Sequence, residues 1–334
     1  MKKFNILLPL FLISITVFAS CETKSQYQQS VFDGFVQGST YHIVIKDTKK
    51  HDVQEALDSI YKMIDMSMSV YEPNSLISKI NRNETDSLDS FMKECIAIAE
   101  QVSIETDGVY DITIKPLTAA YGFAGEVNSE NVNVDSLLQF VGYDKIKIEG
   151  DRIIKERPEI QLDLNSIAQG YTTDIIARYF DELGFTDYIV EVGGEIFSRG
   201  TNMKGIPWVV GIDKPFEGNY TPGADLQVTL KLSGKGLATS GNYRKFYTDE
   251  SGRKVVHTVD ARTGDPVIST MLSATVVGPD ATLADVWGTV FMIVGLEKTK
   301  EFLSRHPELA AYIVYSGDNG EYLVYYTDNL EING

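Results

Sequence analysis

Cysteine is almost absent from this 334-residue chain: there are two, Cys21 and Cys95, and no Cys-x-x-Cys. One bridge at most could form, so no disulfide framework holds the fold, and stability must come from an apolar core that a chain of this length can build. Histidine is nearly as scarce. There are four, none at ligand spacing from another, and His-Glu-x-x-His is missing, which argues against a zinc centre. No Gly-x-Gly-x-x-Gly opens a helix, and neither a Walker-type phosphate loop nor a Gly-x-Ser-x-Gly elbow occurs. Positive charge is in deficit too: 30 Lys and Arg stand against 47 Asp and Glu, a formal net charge of −17. Such a chain has no electrostatic footprint for nucleic acid, and its surface is not drawn to anionic lipid. To hold a phosphorylated ligand it needs a cation or well-aimed backbone amides. Any chemistry here must rely on oxygen ligands, amides and hydroxyls.

Long apolar runs are missing as well, except at the start. Lys2 and Lys3 precede an apolar stretch from Ile6 to Phe18, and Ala19 and Ser20 then lead into Cys21. That order describes a secretory signal peptide over residues 1–20, too short and wrongly flanked to span a membrane. A cysteine directly after small residues, followed by a polar stretch, reads as a bacterial lipoprotein cleavage site. Ordinary secretion with an incidental Cys21 is the plainer alternative. An acylated Cys21 would anchor the exported protein to a membrane without crossing it. Residues 21–30 then form a polar tether, and residues 31–334 form the folded part. Loss of the leader would make the charge more negative by two, since it carries two lysines and no acid. Cys95 lies in an apolar helical pattern, Phe91 to Ile98, and reads as packing rather than chemistry.

Periodicity sets out the rest. Phe35 to Ile45 has strand character. Val53, Ala56, Leu57, Ile60, Met63 and Ile64 recur at helical spacing, and a second helix covers about Ser90 to Thr106, ending at Asp107-Gly108. Tyr143–Ile148 and Arg152–Lys155 flank a short turn as a hairpin. A helix after Leu164 carries the apolar face Ile167, Tyr171, Ile175, Tyr179 and Phe180. Strands follow at 188–192, 195–198, 208–212, 226–232, 254–259 and 271–277. Helices at 281–294 and 296–305 precede strands 310–315 and 322–326. Helices interleaved with β-meanders predict an α+β fold with antiparallel-rich sheets, arranged as two interleaved subdomains with a ligand cleft between them.

Four constellations stand out, each with a plain structural reading beside the chemical one. Asp285 and Thr289 are four apart on a helix and so share a face. They could hold a hard cation such as Mg²⁺, or Asp285 could simply favour a helix start while Thr289 packs. Asp163 through Asp174 reads as a strand end, a cap at Asn165 or Ser166, and a helix opening in small residues. Its free amides suit a phosphate, although from local sequence alone an ordinary capped helix is the better reading. Thr239-Ser240-Gly241 and the segment His257 to Pro266 gather hydroxyls, glycine and a histidine. That histidine could be a base or a structural hydrogen-bonder, and residues 262–266 could be only a turn. Tyr71, just before the turn Pro73-Asn74-Ser75, could stack on a flat ring or pack in the core.

Taken in order, these motifs resemble the FAD:protein FMN transferase family, the ApbE-like flavin transferases. The matching pieces are Gly38-Ser39-Thr40-Tyr41, Asn74-Ser75 with Ile80-Asn81, and Tyr110-Asp111-Ile112-Thr113 with Pro116-Leu117 and Gly122-Phe123. They continue with Leu162-Asp163 through Asp174, Gly193-Gly194-Glu195, Ala238 to Gly241, His257 to Gly264, and Ala284-Asp285 with Thr289. The resemblance implies Mg²⁺-dependent transfer of FMN from FAD to a Thr or Ser hydroxyl of an acceptor redox protein, releasing AMP, on the periplasmic side of a membrane. It implies Asp285, Thr289 and the carbonyl of Ala168 as metal ligands, Tyr71 over the flavin, and Asp174 at the adenosine end of FAD. Ser240 and Gly241 would lie at the flavin, and His257 near the pyrophosphate as a base. Gln169 departs from the family's usual Lys, and Ala261 from its usual Pro. An FAD pyrophosphatase and a flavin-holding lipoprotein without turnover are the competing readings.

Overall fold

The computed structural model describes residues 26–123, 133–216, 219, 223–241, 246–248, 254–256, 258–267 and 269–333. In chain order its elements begin with β1 (Gln28–Val36), β2 (Ser39–Asp47), α1 (Gln54–Met68), α2 (Leu76–Asn81), α3 (Ser90–Glu105), α4 (Lys115–Ala120) and α5 (Val134–Leu138). Then come β3 (Ile146–Glu149), β4 (Arg152–Lys155), α6 (Ala168–Glu182), β5 (Tyr188–Val192), β6 (Glu195–Arg199), β7 (Trp208–Asp213) and β8 (Leu226–Leu232). The chain continues through β9 (Lys235–Gly241), β10 (Phe246–Thr248), β11 (Lys254–Val256), β12 (Met271–Gly278), α7 (Ala281–Val294) and α8 (Leu296–Arg305). It ends with β13 (Ala310–Ser316), β14 (Tyr322–Tyr326) and β15 (Ile332–Asn333).

Eight of these strands form one antiparallel sheet in the order β1-β2-β5-β6-β9-β12-β13-β14, with β1 and β14 at its opposite edges. Side chains alternate across a strand, and here both faces are covered. One face meets the helices around Leu57, Ile77, Met92, Tyr171, Phe180 and Phe291. The other meets the three-stranded sheet β15-β8-β7 through Trp208, Val210, Leu230 and Val277. A smaller cluster, Leu117, Tyr121, Val141, Val259 and Ala261, ties α4 to the chain around residues 258–267. Cys95 is fully buried in α3 within the main core, as its apolar neighbours indicated.

The α+β class and most element positions agree with the sequence, but three local readings differ. The stretch 35–45 is not one strand. It is the end of β1, a two-residue turn and most of β2, with Gln37 at φ 52° and Gly38 at φ 74°. Two successive positive φ values match the twist of an antiparallel hairpin, and glycine supplies only one of them without strain. β1 also starts at Gln28, three residues inside the segment read as tether. Finally, Ile175 and Tyr179 of α6 are only half-buried, while Thr172, Thr173 and Asp174 are buried. α6 packs against α1, α7, β5 and β6 together, so even its polar side is covered.

Candidate functional site

Two helix starts define the site. The chain entering α6 is pinned by Asn81, whose amide donates to the Leu162 carbonyl at 2.9 Å and whose own oxygen accepts the Leu162 N–H at 2.7 Å. Asp163 then accepts the Asn165 N–H at 2.9 Å and the Thr118 hydroxyl at 3.2 Å, a side-chain turn that bends the backbone into the helix. On the opposite side Asp280 caps α7, accepting the Leu283 N–H at 2.7 Å.

α6 and α7 cross at Gly170. A Cβ there would lie 2.6 Å from the Ala281 carbonyl oxygen and 2.9 Å from the Asp285 Cβ, so only glycine permits the approach. Because the helices are so close, the Gly170 N–H donates to Asp285 Oδ2 at 3.2 Å. Asp285 is buried. Burial pushes its carboxyl well above the usual carboxylate range, the nearby Asp174 charge adds to this, and the Gly170 N–H opposes it. Thr289 follows one turn later on α7 and is half-buried. The Ser240 hydroxyl at the end of β9 sits against Gly288, between those two residues, with Gly241 next to it.

The first turn of α6 is tied to the β1–β2 hairpin. The Ala168 carbonyl accepts the Thr172 hydroxyl at 2.7 Å, and Thr172 accepts the Gln37 side-chain amide at 3.0 Å. That contact offers a physical reason for a non-glycine residue at positive φ in the turn. Tyr71 lies in the loop before α2 and is 61% exposed, with its hydroxyl 3.5 Å from the Phe123 carbonyl. It is therefore not a core residue, and its ring is free to meet a ligand.

Asp174 lies against the start of α7. It is buried, and its oxygens accept the Ala281 N–H at 3.0 Å, the Thr282 N–H at 2.8 Å and the Thr282 hydroxyl. Burial, then the charge of Asp280, push its carboxyl up to about 6, and those hydrogen bonds pull the other way. The start of α7 thus engages both oxygens of this carboxylate. His257 and Cys21 lie outside the described residues. Around His257, the Gly264 N–H donates to the Asp260 carbonyl at 2.7 Å and the Arg262 guanidinium pairs with Asp260, so residues 260–265 do form a turn.

Sequence reasoning placed Gly170 and Thr282 within its motifs but gave no role of their own to them or to Gln37. Glycine one residue after Gln169 near a helix start was the available signal for a close helix crossing. Nothing local marked the other two. Among the described residues no three acidic, His or Cys side chains converge. A cation here would rest on one carboxylate, one hydroxyl and main-chain oxygen, a donor set suited to a hard ion. The buried carboxylate of Asp285 fits such an ion, because among the described residues one backbone amide and no cationic side chain pairs with it.

Fold and site together define an α+β protein in which two helices cross around a buried carboxylate, with an exposed aromatic ring in the loop before α2. The ApbE family model matches residues 37–313, and the chain belongs to the ApbE family. It is 29% identical over 319 residues to the FAD:protein FMN transferase of Haemophilus influenzae, covering 90% of each chain. To the enzyme of the same name from Escherichia coli K12 it is 28% identical over 322 residues, again with 90% of each covered. Among solved structures, the flavin transferase ApbE of Vibrio cholerae superposes with a TM-score of 0.80 at 26% identity, covering 90% of this chain and 98% of that one. The apo flavinyl transferase ApbE of Pseudomonas stutzeri gives 0.79 at 27% identity, covering 90% and 95%.

Proposed function

We propose that this protein is an FAD:protein FMN transferase. It moves FMN from FAD onto a Thr or Ser hydroxyl of an acceptor protein and releases AMP. The names of its relatives support the reaction. The observation within the chain that carries it is the buried Asp285, held against the start of α6 by the Gly170 N–H with Thr289 one turn on. Asp285, Thr289 and the Ala168 carbonyl would hold Mg²⁺, which when bound screens the pyrophosphate and stabilises the departing AMP. The Ala168 carbonyl already accepts the Thr172 hydroxyl, so its use requires that hydroxyl to share or turn away.

The protein's own contribution is orientation and a fixed field. Tyr71 presents a ring for the flavin, and Ser240 with Gly241 lines the floor beside α7. The acceptor oxygen forms the new bond to the FMN phosphorus as the bond to AMP breaks, and its proton passes to a base, for which His257 is the candidate. Positioning and preorganised charge supply most of the rate in such transfers. Lipid attachment at Cys21, on the periplasmic face of a bacterial membrane, accounts for the leader. No helix among the described residues is long and apolar enough to cross a membrane.

The test is purified protein with FAD, Mg²⁺ and a candidate acceptor, read by mass spectrometry. The expected result is an acceptor heavier by one FMN, AMP in solution, and loss of both with EDTA. Free FMN and AMP beside an unmodified acceptor, across a panel of redox-protein acceptors, would point to a pyrophosphatase. Intact FAD throughout would leave a binding lipoprotein.

A further inference from the structure

The α6–α7 crossing has two rungs. On the first, the Gly170 N–H meets Asp285. On the second, Asp174 meets Ala281 and Thr282. Asp174 lies one turn beyond Gly170 on α6, and Ala281 lies one turn before Asp285 on α7. Residues four apart share a helix face, so the two rungs are stacked along one seam. Gly170 brings the helices to their closest approach, but a glycine contact fixes only distance. Register along the seam needs a directional contact, and the Asp174 carboxylate supplies it with three hydrogen bonds to the start of α7. A buried anion placed on the free amides of a helix start is also electrostatically favoured.

We propose that Asp174 is a positioning residue. It sets the register of α7 on α6, and so places Asp285 and Thr289 opposite the Ala168 carbonyl. This rests on the metal site proposed above. Asp174 touches no ligand in this scheme. Its removal should weaken the metal site while leaving flavin recognition intact, the opposite of what an adenosine contact would do. Thr282 completes the same rung from the other helix, so it should share the phenotype although it lies on the far side of the contact.

The variants are Asp174→Ala, Asp174→Asn and Thr282→Val in the purified full chain, with folding checked by near-ultraviolet circular dichroism. Two quantities are read: Mn²⁺ affinity by electron paramagnetic resonance, and FAD affinity in EDTA by flavin fluorescence. Loss of an outer residue that orients a metal ligand typically weakens affinity by about 10–100-fold, and that is expected of Asp174→Ala. Thr282→Val should move Mn²⁺ affinity the same way by less, and FAD affinity in EDTA should not change. If Asp174→Ala does not fold, Asp174→Asn and Thr282→Val decide. FAD binding that collapses in EDTA while Mn²⁺ affinity holds would make Asp174 a ligand contact and overturn the inference. Unchanged Mn²⁺ affinity in folded variants would overturn it as well. Wild-type protein that binds no Mn²⁺ would instead sink the metal site itself, and this inference with it.

Discussion

Asp285 is the residue where function and stability pull apart. A carboxylate taken out of water with a single backbone amide for company raises the free energy of the metal-free fold. Asparagine has nearly the same shape, keeps an oxygen for the Gly170 N–H and carries no charge. Asp285→Asn is therefore expected to stabilise the metal-free protein by about 1 kcal/mol, the usual scale for relieving a functional compromise. The same change should abolish EDTA-sensitive AMP release. Chemical denaturation in EDTA, alongside the transfer assay, reads both effects. A variant that is less stable and still active would show that Asp285 serves the fold and not the chemistry.

Among the elements, α7 is the one most tightly placed. Gly170 admits it on the α6 side, and Gly236 of β9 admits it from the sheet, where a Cβ would collide with the backbone of Asp280 and Ala281. This also explains why β9 escaped sequence reading. Lys235 to Gly241 holds no run of bulky β-formers, because a central strand beneath a close helix must be made of small residues. Gly170→Ala should force α6 and α7 apart. Overpacking of this kind costs about 1–3 kcal/mol, seen as a lower urea midpoint at unchanged slope. The Gly170 N–H would also draw away from Asp285, so transfer activity should fall further than stability alone accounts for. A fully active Gly170→Ala enzyme would mean that the crossing need not be tight.

For the whole molecule, the balance of buried acids governs the response to pH. Burial raises the carboxyls of Asp111, Asp163, Asp174, Asp280 and Glu191. A group whose folded value is raised takes up its proton more readily in the native state. Its stabilising contribution is present in acid and is lost as pH rises, for Asp174 between 3.8 and about 6. Glu94, held down first by the Arg178 guanidinium, works the other way and protects the fold only above its folded value. Among the buried acids the raised ones predominate, and self-repulsion at a net charge of −17 adds to their effect. The melting temperature of metal-free protein should therefore fall as pH rises from 3.8 to about 6, with added Mg²⁺ restoring most at the upper end. A melting temperature that rises over that interval would contradict this balance.

The sequence by itself determined the α+β class and nearly every long helix and strand. Those follow from local periodicity and from which residue types are present, and neither needs tertiary contacts. It also singled out Asp285 with Thr289, whose spacing is a property of one helix. Tertiary structure alone decided that Tyr71 is exposed, that Gln37 turns the first hairpin, and that Asp174 faces the start of α7. Each of these depends on a partner more than a hundred residues away or on which side of an element is covered. Hydrogen bonds such as Gly170 to Asp285 join residues 115 apart, and no local pattern records them.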